Sequence, residues 1–344
     1  MPDQLPPVPL KSGETMEMLR VEAPCGDWGE RIVDFMYVRH IQYANCSWHR
    51  NCARVVTGEF ADVSRDVFFV GLLEGEIAGT CWYGTPEDSL DLATFGRVVT
   101  IAEHRRKGVS QALCAAAVED FRKLGGWAMH LGTSRRNPAR LIYEGLGFQH
   151  CNFEEDAGTV MRLVLQGEYE RLEDEYYEPG QPVMVLPLHW GDLARVELLM
   201  NLPHWFLKDY TYGVYANTPY EGQFFEVMER VGDRGETGLA LRTTDERVVG
   251  MAYTAPTLAG AGAQDHVRVL EFVVHPAYAE NAPQIIAAAA TDCAAEKLLA
   301  YSSAVDVSRC EALEEAGFVQ EATLADALQD TESVFDMYVY SLGR

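Results

Sequence analysis

The sequence predicts an α/β protein built as two tandem domains. The chain has 344 residues, enough for two domains of about 100–200 residues each. β-Branched runs alternate with apolar stretches at helical spacing, most clearly from Gly96 to Phe148. The element order then recurs weakly, with Gly317-Phe318 falling 170 residues after Gly147-Phe148.

Taken in order, the proline-rich start lacks the apolar core of a signal peptide, so residues 1–15 are expected to be a flexible tail. Alternation in Met16–Ala23 predicts a first strand. Gly26-Asp27 then opens a helix from Trp28 to about His40, with Asp27 placed to cap it. Val67–Leu73 and Glu76–Tyr83 read as strands joined by a Glu74-Gly75 hairpin turn. Asp91–Ile101 makes a central strand. The helix from Gln111 repeats Ala112, Leu113, Ala116 and Ala117 at a spacing suited to packing on a sheet. Trp127–Gly132 is the next strand, and Asn137–Leu146 a helix closed by Gly147 in a left-handed cap.

Residues 171–180 are acidic and end in Pro179-Gly180, as a linker between domains 16–170 and 181–344 would. Beyond them Pro182–Leu188 reads as a strand and Trp190-Gly191-Asp192 precedes a helix through Leu199. Arg247–Tyr253 and Val269–His275 parallel earlier strands, a helix starts near Ser308, and Phe335–Ser341 closes the series.

The formal charge is −24, with −7 on residues 1–170 and −17 on residues 171–344. Such acidity argues against general nucleic-acid or anionic-membrane binding and suits an amine-bearing partner. No apolar run approaches the roughly 20 residues of a membrane span. Eight cysteines without a C-x-x-C pair or zinc spacing point to reduced thiols, a cytoplasmic protein and no metal.

The basic residues gather where chemistry is expected. Val98, Val99 and Thr100 lead into Arg105-Arg106-Lys107-Gly108-Val109-Ser110, and an apolar helix follows. Strand, glycine turn and helix start build an anion site, because free N–H groups and the positive end of the helix dipole converge on it. Three neighbouring cations suit a pyrophosphate.

These residues resemble the acyl-CoA signature of the GNAT superfamily of N-acyltransferases, in which Arg or Gln is followed by two residues, Gly, one residue, and Gly or Ala. Ser110 takes the last small-residue slot and is the one departure. A second signature of the same family is matched by Asn137, Ala139, Tyr143, Gly147 and Phe148. The resemblance implies that each domain is a central mixed β-sheet flanked by helices (an α+β mixed sheet). It implies acetyl-CoA, or another acyl-CoA, as co-substrate, with its pyrophosphate on Arg105–Ser110. Val98, Val99 and Thr100 would face the pantetheine arm of the donor, and Asn137 and Ala139 would lie beside it. Tyr143 would protonate the departing thiolate as general acid, as a phenol held near the sulfur can. Tyr43, Trp48 and His49 would line the acceptor pocket. A general base is required but is carried by no motif; Asp91, Thr94 and His49 are possible participants.

Opposite Arg105–Gly108 the second half reads Ala279-Glu280-Asn281-Ala282, with Pro283 opposite Val109 and Leu313 opposite Tyr143. The second domain is therefore expected to be a degenerate copy. The expected activity is acyl transfer to a primary amine of a small molecule, by a monomer or homodimer. Two alternatives stay open: a GNAT-fold transferase taking an aminoacyl group from charged tRNA, and a non-catalytic acyl-CoA-binding regulatory or scaffold protein.

Overall fold

The computed structural model describes residues 2–39, 47–134, 136–151, 160–205, 207–211, 213–215, 219–257, 264–329 and 333–343. The chain divides into two units, residues 1–172 with 189–198, and residues 173–188 with 199–344.

The first unit opens with β1 (Asp3–Pro9) and β2 (Thr15–Glu22), then α1 (Trp28–Arg39) and α2 (Ser47–Thr57). The hairpin β3 (Ser64–Leu73) and β4 (Glu76–Pro86) leads to β5 (Leu92–Thr100) and α3 (Val109–Lys123). β6 (Ala128–Gly132), α4 (Arg140–Gly145), β7 (Gln149–His150) and β8 (Val160–Val164) complete it. The eight strands form one mixed sheet in the order β1-β2-β3-β4-β5-β6-β8-β7, with β5 and β6 parallel and the other pairs antiparallel. Val109, Leu113, Cys114, Ala117, Val118 and Phe121 recur at helical spacing along α3 and are buried against Phe69, Cys81, Tyr83, Ala93 and Phe95. Each such large apolar side chain contributes about 1.5–3 kcal/mol on burial. Tyr83 adds a fixed point by donating to Asp120 on α3 at 2.6 Å.

The first residues are not a tail. Asp3–Pro9 pairs with β2 from Asp3↔Arg20 to Pro9↔Thr15, with a register shift between Leu5 and Val8. Pro6 and Pro7 lie within that shift, on an edge strand where a missing N–H costs little.

The stretch expected as a linker holds α5 (Leu172–Tyr176), which spans the division between the units. Tyr176 and Tyr177 are buried despite their acidic neighbours, and Arg247 donates to the carbonyls of Glu175 and Tyr176 at 2.7 and 2.8 Å. Next come β9 (Val183–Pro187) and α6 (Leu193–Met200). The segment His189–Leu198 belongs to the first unit, which departs from a simple boundary at residue 181. Trp190 stacks on Phe60 with ring centroids 4.2 Å apart, and Arg195 pairs with Asp88 at 2.5 Å.

The second unit continues through β10 (Leu207–Asp209), β11 (Val214–Tyr215), α7 (Glu221–Arg234), β12 (Gly238–Thr243), β13 (Val248–Pro256) and β14 (Val267–Val274). It ends with α8 (Ala282–Asp292), β15 (Lys297–Ser303), α9 (Val307–Glu315), β16 (Val319–Gln329) and β17 (Val334–Gly343). Its main sheet runs β9-β12-β13-β14-β15-β17-β16, the order of β2-β3-β4-β5-β6-β8-β7 in the first unit. The parallel pair falls at the same place, between β14 and β15. Two mixed sheets of matching topology, each with flanking helices, bear out the expected fold class.

Candidate active site

The site is built around the end of β5. Its pairing with β6 covers Leu92↔Ala128, Ala93↔Met129 and Thr94↔His130, and goes no further. The edge facing β6 is therefore open from Phe95 onward. On the other edge, Arg97 and Val98 stand opposite Cys81 alone, between Trp82↔Gly96 and Thr80↔Val99. This bulge places Arg97 at φ +50°, in the left-handed region, and bends the strand away from its neighbour. The Arg97 guanidinium lies 4.0 Å over the ring of Trp82, whose Nε1 donates to buried Asp66 at 2.8 Å. Burial raises the carboxyl of Asp66 above its usual range, against the opposing influence of Arg97, Ser64 and Trp82.

Val98, Val99 and Thr100 follow the bulge, and the basic turn comes next. Gly108 is the N-cap of α3 at φ +97°, a conformation strained for any side chain, and it offers no capping group. The first N–H of the helix to find a carbonyl within it belongs to Ala112, bonded to Gly108 at 3.0 Å. The N–H groups of Val109, Ser110 and Gln111 thus form the donor set of the helix start. The cations are not equivalent. Lys107 pairs with Glu14 at 2.8 Å, Arg105 donates to the Thr100 carbonyl at 3.3 Å, and Arg106 is exposed at φ +63°. The Ser110 hydroxyl meets that of Thr100 at 2.5 Å, so the departure from Gly or Ala ties the end of β5 to the start of α3.

Tyr143 on α4 is buried edge-on to Phe95, at 6.0 Å and 84° between ring planes. It thus packs beside the first open residue of β5. Burial, with smaller contributions from Cys114 and Cys81, raises its phenol above the ordinary range, so the group keeps its proton. Asn137 is exposed and caps the helical turn, its Oδ1 accepting from the Ala139 N–H at 3.0 Å, while Ala139 packs partly buried against the core. Tyr43 lies outside the described residues. Trp48 and His49 fall on α2, where only the backbone is described.

Two residues at the open end of β5 were not signalled by any motif. Thr94 donates to the carboxylate of Glu197 at 2.9 Å, and both groups are buried. Glu197 comes from α6, 103 residues further along the chain, a separation that hides the pairing from sequence reading. The other is His130, opposite Thr94 and on the same face of the sheet. Its Nε2 accepts from the Nε of Arg162 at 2.8 Å, which leaves the proton on Nδ1. Burial, reinforced by Arg162, holds this imidazole neutral, with its only lone pair engaged. It cannot take up a proton there. Asp91 is occupied at the strand start, accepting from the Leu92 N–H at 2.9 Å.

The second unit brings Glu173, His204 and His275 together, with one possible ligand atom of each within 4.8 Å of the others. Glu173 accepts from His275 at 3.2 Å and contacts His204. The Nδ1 of His275 accepts from the Ala277 N–H at 3.2 Å, so its Nε2 carries the proton toward Glu173. A neutral imidazole in that state has no lone pair for a metal, and the cluster reads as histidine–carboxylate hydrogen bonding.

Residues 64–150 match the family model described as the acetyltransferase (GNAT) domain. The first unit holds a GNAT acetyltransferase domain. The match spans β3 to β7, the basic turn and Tyr143 together. Among solved structures, an N-acetyltransferase from Staphylococcus aureus Mu50 is 13% identical at a TM-score of 0.39, covering 47% of this chain and 98% of that one. Spermidine N-acetyltransferase from Vibrio cholerae, in complex with CoA and spermine, is 13% identical at a TM-score of 0.38, covering 47% and 95%. A GNAT superfamily phosphinothricin acetyltransferase from Sinorhizobium meliloti, in complex with AcCoA, is 12% identical at 0.42, covering 47% and 88%. A search of curated proteins finds no match.

Proposed function

We propose that the GNAT domain of the first unit transfers an acetyl or other short acyl group from acyl-CoA to a primary amine of a small molecule. The observation that carries this reading is a conjunction within one unit. A helix start led by Gly108 with no side-chain cap follows β5, the edge of β5 is open from Phe95 onward, and the protonated phenol of Tyr143 packs against Phe95. The N–H groups of Val109, Ser110 and Gln111, with Arg105 and Arg106, would hold the donor's pyrophosphate. The β5 backbone from Val98 to Thr100 would pair with its pantetheine arm, and Ala139 would leave room beside it. The donor supplies an activated thioester carbonyl.

Tyr143 donates the proton that the departing thiolate needs. Its raised phenol stays protonated across neutral pH, so the acid form is present at every turnover, while the same shift weakens its drive to give the proton up. Proton removal from the amine falls to Glu197, the carboxylate that Thr94 holds at the point where β5 and β6 part. In this reading the second unit is the degenerate GNAT-like copy, and the protein works in the cytoplasm.

Incubation with labelled acetyl-CoA and a panel of small amines tests the reading. Labelled N-acetylated product supports it; tight CoA binding with no turnover on any amine would move the protein to a regulatory role.

A further inference from the structure

The second unit contains the counterpart of the donor slot, and the structure places a side chain in it. β14 and β15 pair at Val267↔Lys297, Arg268↔Leu298 and Val269↔Leu299, then part, as β5 and β6 do after three pairs. The helices that follow align at their C-terminal ends. Phe148 N–H donates to the Tyr143 carbonyl at 3.0 Å and Phe318 N–H to the Leu313 carbonyl at 2.9 Å. Four residues before each of those carbonyls stand Ala139 in the first copy and Arg309 in the second.

The Arg309 guanidinium spans the opening. Nη1 donates to the Phe272 carbonyl of β14 at 2.5 Å, and Nε to the Tyr301 carbonyl of β15 at 2.8 Å. Nη2 donates to the Glu271 carboxylate at 2.5 Å. Phe272 and Tyr210 flank the guanidinium at 4.1 and 4.7 Å from their ring centroids. Arg309 and Glu271 are both buried, and the other oxygen of Glu271 accepts from the N–H groups of Tyr210 and Thr211 at 2.7 and 3.0 Å. Glu271 stands two residues past the last parallel pair of β14, where Gly96 stands two past that of β5, so a glycine of the first copy has become the arginine's counter-ion. The strand bulge of the first copy has no equivalent between β13 and β14, whose register is unbroken.

We propose that Arg309 is a built-in occupant of the second unit's donor slot, satisfying the strand carbonyls that an amide-bearing donor arm would otherwise meet. Each chain then takes one acyl donor, and the side chain at the position of Ala139 decides whether such a slot is open. The proposal rests on the reading that the first unit's slot takes acyl-CoA.

Calorimetric titration of the full chain with CoA should give one site per chain; two sites would overturn the proposal. Absence of any binding would instead sink the donor reading of the first unit, and the second unit would then be judged on its own by R309A/E271G. That pair restores the alanine and the glycine of the first copy. Soaked with pantetheine, which needs no phosphate turn, crystals of this variant should carry it between β14 and β15. A folded R309A/E271G whose slot excludes pantetheine, or wild type that admits it there, would refute the plug. The converse graft, A139R/G96E, should weaken CoA binding by at least roughly a hundredfold while cooperative melting is retained. A folded graft that binds CoA like wild type would also overturn it.

Discussion

Tyr143 illustrates how one residue's packing sets its chemistry. Buried beside Phe95 and close to two thiols, its phenol is pushed above the usual value, and the sign follows directly. A raised phenol loses no protons until well past its ordinary pKa of about 10, so kcat should show no downturn from Tyr143 up to that pH. Tyr143→Phe should lower turnover roughly ten- to a thousandfold, with donor Kd little changed; an unchanged rate would remove Tyr143 from the mechanism. Glu197→Gln should depress kcat/KM for the amine and shift the acidic limb of the pH profile, as read in steady-state kinetics. Tyr143 was legible in the sequence because its spacing from Asn137 and Gly147 is local. Glu197 was not, because only the folding of α6 onto the first unit brings it to Thr94.

At the scale of elements, the turn from β5 into α3 was the most readable part of the chain. Its glycine, its cations and the helical repeat behind it lie within 30 residues, and the structure has Gly108 as the N-cap, at positive φ. Gly108→Ala should cost about 1 kcal/mol in stability and weaken CoA binding further than that, since a Cβ strains the loop that presents the N–H groups; thermal melts and donor titration separate the two effects. The lower legibility of β1 and α5 has a physical basis. Prolines mark a tail in isolation but are tolerated at a sheet edge, and acidic composition conceals the buried pair Tyr176 and Tyr177. The second anion turn was misplaced by one residue. Asn281 caps α8 as Gly108 caps α3, which sets Tyr278-Ala279-Glu280 opposite the three cations.

Over the whole molecule, the duplication was visible in the sequence only as scattered coincidences, whereas the two strand orders agree throughout their seven shared strands. Strand order survives substitution because it depends on burial pattern, while site residues drift once their ligand is gone. One segment does not follow the duplication: His189–Leu198 belongs to the first unit. A Cβ on Gly191 would lie 1.9 Å from the Val63 carbonyl oxygen, so no larger residue fits there without moving backbone. Gly191→Ala should therefore destabilise the first unit by about 1–3 kcal/mol and lower its melting temperature, the overpacking range for a site with no slack. If the melting curve stays put, that segment does not anchor the first unit.

The arginine in the second slot also bears on the history of the protein. A slot that merely stopped binding its ligand could be recovered by a single reversion. This one has been converted into internal structure: Arg309 joins two strands, and Glu271 holds both that arginine and the turn at Tyr210. Removing either partner alone strands a buried charge, at a cost of about 3–5 kcal/mol. Any route back to a second working site crosses variants less stable than their ancestor, and it must also rebuild the basic turn and the tyrosine. Under the proposal of a plugged slot the loss behaves as a ratchet, and it confines further evolution of donor chemistry to the first half of the chain.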